Sequence, residues 1–130
     1  MTKFYILDDG GNPLPTSSIT DWAKWFESSD RFVATTHVGE ARVSTVFLGM
    51  DHSFVGGGEP ILWETMIFGG KQDGYQERYS SKLDALRGHN HAVKLAREAA
   101  SPRGLRWIIE KCLKTSFMQW LGRKTCTLTL

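Results

Sequence analysis

Cysteine is almost missing from this 130-residue chain: Cys112 and Cys126 are the only two. They form no CxxC pair, which argues against a structural zinc site of the usual kind and leaves two reduced thiols as the expectation. Proline is scarce, with four residues. No apolar run approaches the roughly 20 residues that span a bilayer, so no membrane association is expected. The opening stretch, MTKFYILDDGG, lacks the apolar core and small-residue cleavage site of a secretion signal, and the cytoplasm is the expected compartment. Charge of one sign is also lacking. The net charge is +2, too small to make the whole molecule a nucleic-acid binder. The chain contains no GxSxG, HExxH, GxGxxG or GxxxxGK[ST] signature. Its Ser and Thr residues are scattered, nothing fixes a nucleophile, and no metal or cofactor is expected.

What is present is an ordinary globular composition, 41% hydrophobic and 23% charged. Its length fits a single domain over residues 1–130, with a core in residues 1–100 and a basic carboxy-terminal helix and tail in residues 101–130. The charge is uneven. Residues 103–124 hold six Lys or Arg against one acid, Glu110, so that stretch carries +5 and the remainder −3.

Two apolar runs, residues 41–50 and 61–68, flank a glycine-rich loop. Both are rich in β-branched and aromatic residues and bounded by turn residues, which predicts strands. Gly39-Glu40 fits a two-residue type II′ turn joining residues 32–38 to residues 41–50. That register sets Phe32 opposite Phe47 and Ala34 opposite Thr45. Residues 3–7 and 75–80 read as two more strands, and residues 8–16 read as a loop. Ser18-Ile-Thr-Asp21 and Ser81-Lys-Leu-Asp84 both fit capping boxes. The first opens a helix with Ile19, Trp22, Trp25 and Phe26 on one face. The second opens a helix with Leu86, His89, Val93 and Ala96 on one face. Pro102 starts a third, with Leu105, Ile108, Ile109, Cys112, Leu113, Phe117, Trp120 and Leu121 at helical spacing and Gly122 as its stop. The tail after Gly122 is either an edge strand or unstructured. The expected fold is α+β: an antiparallel meander of about four to five strands with three helices, packed mainly on one face.

Candidate chemistry falls in four places. Glu64 is the polar exception on one face of an apolar strand, and a turn near Lys71 sets Arg78 across from it. A buried Glu64 tied to Arg78 or a nearby histidine is expected, with a loss of roughly 3–5 kcal/mol if the pair is broken; the other reading is a functional acid or a group that binds a ligand. Asp51-His52 ends a strand before a loop, a favoured place for sites. Gly56, Gly57 and Gly58 can cradle a phosphate through bare amides, or merely lend flexibility. His89 and His91 point to different helix faces and cannot chelate together, so His89 is more simply a hydrogen-bonded core histidine. Separately, Arg103, Arg106, Lys111 and Lys114 make a basic helix face, either solvated or a contact for an acidic partner or nucleic acid.

The runs VSTVFLGMDH, residues 43–52, and ETMIFGG, residues 64–70, resemble a pattern in small proteins of tailed bacteriophages and prophages. The similarity continues through Arg78-Tyr79 and Ala85-Leu-Arg-Gly-His89, covering roughly residues 32–93. That family carries no assigned activity, so the resemblance implies a phage or prophage origin, hence the host cytoplasm, and no catalytic residue. The expected function is that of an accessory protein that binds a host protein or complex, with inhibition of a defence system as the specific option. The alternative is a small enzyme or ligand-sequestering module with a pocket around Asp51, His52, Gly56–Gly58, Glu64 and His89. Aromatic stripes on the first and third helices exceed what one sheet face buries, so a homodimer is expected, with a helix packed on its own copy.

Overall fold

The computed structural model describes residues 3–54 and 56–100. Its elements run β1 (Phe4–Leu7), β2 (Pro13–Thr16), α1 (Ile19–Ser28), β3 (Phe32–Val38), β4 (Ala41–Phe47), β5 (Trp63–Phe68), β6 (Gln76–Tyr79) and α2 (Lys82–Ala100). The class is α+β, with every strand pairing antiparallel. The described residues form two sheets, however: a four-stranded one in the order β3-β4-β5-β6 and the hairpin β1-β2. Two helices lie among the described residues. The third expected helix and the tail fall outside them.

The stretch read as a loop over residues 8–16 ends in a strand. The Asp8 carboxylate organises the turn by accepting from the amides of Gly10 and Asn12, and β2 then pairs with β1 from Pro13 to Thr16. Two prolines disguise this strand. They share one parity, so the ladder to β1 runs through the other and their missing N–H groups lie on the free edge. The hairpin β1-β2 joins the rest through the continuation of β4. Tyr5 N–H donates to the Gly49 carbonyl, Asp51 N–H donates to the Lys3 carbonyl, and Phe4 bridges to Met50.

The β3-β4 hairpin turns at Gly39 (φ 57°) and Glu40, as its sequence predicts. Ala34 lies opposite Thr45. Phe32 lies opposite Val46 and not Phe47, because a bulge between Phe32 and Ala34 shifts the register by one. The ladders Val43–Ile67, Thr45–Thr65 and Phe47–Trp63 then place six residues on one sheet face. Both helices lie on that face. Phe47 meets Trp25 of α1 edge-on at 5.8 Å and shares a buried cluster with Trp63 and Ala85 of α2. A second cluster joins Val43 and Ile67 to Ala92, Val93 and Ala96. Burying side chains the size of Phe47, Trp63 and Ile67 contributes about 1.5–3 kcal/mol each.

Ser18 caps α1 by accepting from the Asp21 amide. Trp22 stacks between Phe4 and Phe26 and donates its indole N–H to the Gly49 carbonyl at 2.8 Å. Gly49 holds φ 72°, and a side chain there would press on Trp22 and Phe26. Trp22, Trp25 and Phe26 are therefore used internally, and Ile19, expected on the same stripe, is 61% exposed. Ser81 caps α2 in the reciprocal manner, with its hydroxyl donating to Asp84 and accepting from the Asp84 amide.

The inward face of α2 is Ala85, Gly88, His89, Ala92, Val93 and Ala96. Leu86, read as inward, is 38% exposed. Small residues bring the helix close to the sheet, and the strands supply the bulk. No helix among the described residues is long and apolar enough to cross a membrane. Gly88 marks the closest approach: a Cβ added there would overlap the Tyr79 hydroxyl and ring. Gly to Ala within a helix ordinarily stabilises by up to about 1 kcal/mol. Here Gly88→Ala is expected to destabilise by about 1–3 kcal/mol through overpacking. Urea denaturation of the variant gives the sign directly, and a gain in stability would refute the close approach.

Candidate functional site

Three polar groupings carry the side chains that chemistry would need. The first is the base of the loop between β4 and β5. Asp51 accepts from the Ser53 amide at 2.8 Å, the Ser53 hydroxyl at 2.8 Å and the Ile61 amide at 3.0 Å. His52 adds a backbone bond to the Ile61 carbonyl. One carboxylate thus ties both ends of the loop together. Burial works to raise the Asp51 pKa, but the bonds from Ser53 and Ile61, helped by the neighbouring His52, outweigh it and hold the carboxyl below the usual aspartate range. Beyond this staple, Phe54 stands 94% exposed. Gly57 adopts φ 98°, and neither Gly57 nor Gly58 has a neighbour within 4 Å of a would-be Cβ. A cavity of about 500 Å³ lies between the loop and the hairpin, lined by Lys3, Tyr5, Pro15, Asp51 and Gly56–Gly58 together with Phe54.

The second grouping is internal. His89 is buried between α2 and the sheet, 4% exposed. Its Nε2 bonds the Thr36 hydroxyl at 2.9 Å and its Nδ1 bonds the Thr45 hydroxyl at 2.8 Å. Thr45 continues to Thr65 at 2.6 Å. Burial disfavours the charged imidazole and lowers its pKa. Beside this network the Glu77 carboxylate accepts from the Tyr75 hydroxyl at 2.6 Å and the Tyr79 hydroxyl at 3.3 Å. Burial first, and the Glu77 carboxylate second, push both phenols up.

The third is on the opposite face of β5. Glu64 accepts from Arg78 Nε at 2.8 Å and from the Gln76 amide, its cross-strand neighbours. The Arg78 side chain is about one-third exposed while Glu64 is largely enclosed.

The structure therefore divides the pocket expected around Asp51, His52, Gly56–Gly58, Glu64 and His89. Asp51 and the three glycines share one cavity. Glu64 and His89 lie on opposite faces of the sheet, because Glu64 alternates with Thr65, whose hydroxyl joins the His89 network. Arg103, Arg106, Lys111 and Lys114 fall outside the described residues. Among the described residues no group of three or more His, Cys, Asp or Glu is placed to hold a metal ion.

The sequence reading passed over Phe54, Lys3 and Tyr5. A bare phenylalanine inside a glycine-rich polar loop was the available signal for the first; nothing in sequence separation joins Lys3 and Tyr5 to that loop. It also passed over Thr36, Thr45 and Thr65, whose signal is a hydroxyl repeatedly placed on the apolar side of a strand. No protein-family model, no curated protein and no solved structure matches the chain.

Two outcomes follow from these contacts. Glu64→Gln should cost about 1–3 kcal/mol, the scale of hydrogen bonds to a charged group. This is below the 3–5 expected of a fully enclosed pair, because solvent reaches Arg78. A denaturation midpoint unchanged from the parent would reject the pair as a stabilising element. His89 has the opposite linkage to a salt-bridged histidine. Its folded pKa is depressed, so the unfolded chain binds the proton more readily. Its contribution is complete above the unfolded pKa of about 6.5 and falls as pH drops below it, by about 1.4 kcal/mol for each unit of depression. Denaturation at pH 5 and pH 7.5 should show this loss, and His89→Gln should flatten the difference. An equal pH dependence in parent and variant would assign the loss to other groups.

Proposed function

We propose that this chain is a binding protein rather than an enzyme: an accessory protein of the phage type whose partner is a host protein or complex, with a defence component as the specific candidate. The single observation that carries the reading is Phe54. A nearly fully exposed aromatic at the rim of a cavity, on a loop whose base is locked by a carboxylate, has the form of a binding anchor. Three of the candidate ionisable groups already hold internal hydrogen bonds. Both Asp51 oxygens, both His89 ring nitrogens and the Glu64 carboxylate hold internal hydrogen bonds. In this proposal Arg103, Arg106, Lys111 and Lys114 supply a second contact, to an acidic surface of the partner or to nucleic acid, and the site of action is the host cytoplasm.

The ligand-sequestering alternative rests on a different feature of the same place. The open Gly57 and Gly58 positions border a cavity that also has Lys3 on its wall, an arrangement that suits a small anion.

Affinity capture from host cells with parent and Phe54→Ser proteins separates the two. The partner is expected to be lost or weakened at least about tenfold in the variant. Stability should stay within about 0.5 kcal/mol, as befits an exposed side chain. Undiminished capture by Phe54→Ser would remove Phe54 as the anchor. A small molecule co-purifying with the parent protein in native mass spectrometry, with no protein partner, would favour the alternative.

A further inference from the structure

The described residues contain three free strand edges, and they are unequally protected. A free edge is a row of unpaired N–H and C=O groups that invites another strand, and soluble proteins blunt it with proline, charge or brevity. The edge strand β2 carries Pro13 and Pro15. The edge strand β6 is four residues long, with Glu77 and Arg78 at its middle. The edge strand β3 has neither device. It is seven residues long, FVATTHV, with no proline and no Lys, Arg, Asp or Glu. Its bulge is confined to the Phe32/Ala34 step, which leaves residues 34–38 in regular register with β4. Thr35 and His37 are exposed.

We propose that β3 pairs with β3 of a second copy of this chain, antiparallel across a two-fold axis, so that the two four-stranded sheets become one continuous sheet. The composition of β3 favours its own copy over a foreign strand. Symmetric self-pairing sets a central residue opposite itself and matches its neighbours in reciprocal pairs, so any fixed charge on the strand is duplicated at close range. A strand recognising a different partner gains from complementary charge; β3 carries none to offer. Centred on Thr35 or Thr36, self-pairing matches uncharged and mostly β-branched residues, which suit cross-strand contact. An axis perpendicular to the sheet sets both α2 helices on the same face of the joined sheet. The surface is distinct from the helix-on-helix contact expected from the sequence, since α1 spends its aromatic side chains within its own fold.

The test is sedimentation of the full chain from roughly 100 μM downward, a range in which mass action separates a dimer from its subunits. A dimer is expected. Thr35→Lys brings two like charges together at the centre of the join, directly opposite in the Thr35-centred register and diagonal in the Thr36-centred one, and should raise the dissociation constant at least about tenfold. Hydrogen exchange of the parent provides a check that needs no variant: the outward amides of β3 should be protected in the dimer and released on dilution. A monomer throughout the range overturns the proposal. So does a dimer indifferent to Thr35→Lys with freely exchanging β3 amides. Protected β3 amides in a monomer also overturn it, by showing that a segment of the same chain takes the edge. The result is independent of the Phe54 reading, since capture of a partner can persist in a monomer.

Discussion

The imidazole of His89 and the hydroxyls around it set the terms for the rest of the molecule. Thr36, Thr45 and Thr65 come from three adjacent strands; the first two bond the His89 imidazole of α2, and Thr65 joins through Thr45. A buried polar atom left without a partner costs about 1–3 kcal/mol, whereas a satisfied one is roughly neutral. The network therefore adds little to stability as built and penalises its alternatives. A slip of one residue in the β3-β4 or β4-β5 register would turn a threonine to the other face and strand the histidine. The apolar ladders Val43–Ile67 and Phe47–Trp63 already favour burial of this face. The network adds the information that selects one register and one seating of the helix among several compact possibilities.

That seating demands a close helix, and the sequence signals this only weakly. Apolar periodicity weights large side chains, so Leu86 read as inward when the structure uses Ala85, Gly88, Ala92 and Ala96. The aromatic and β-branched residues of the sheet occupy the volume that a leucine stripe would otherwise fill. The strands themselves were legible, since β-branched alternation and a Gly-first turn both point to a hairpin. The bulge near Phe32 was not, because no residue there announces an extra position. The hairpin partner β2 was hidden by its prolines, which mark loops in general and free edges in particular cases.

The candidate site was legible in its members and not in its assembly. Strand-end position and glycine content located Asp51 and Gly56–Gly58, and cross-strand counting located the Glu64–Arg78 pair. What one-dimensional reading lacked was side-chain parity. Glu64 and Thr65 are neighbours in the chain and face opposite ways, so a pocket that pools Glu64 with His89 requires one of them to cross the sheet. The same alternation explains why the polar groups of this small protein stay separate. One face of β5 is closed over a neutral network, and the other holds an ion pair near solvent.

This separation leaves the loop between β4 and β5 free to serve recognition without disturbing the core. Its base is fixed by three hydrogen bonds to one carboxylate, while its tip is glycine, with the one large apolar side chain between them exposed. Binding is penalised by each freedom lost on association. In the proposed binding role, a fixed base presents Phe54 with much of that loss already met by folding, and a glycine tip leaves the surrounding backbone free to follow a partner's contour. The core gains nothing from Phe54 and loses nothing by changing it. An exposed phenylalanine beside a stapled loop base is a poor choice for solubility, and its placement is the one that the proposed contact requires.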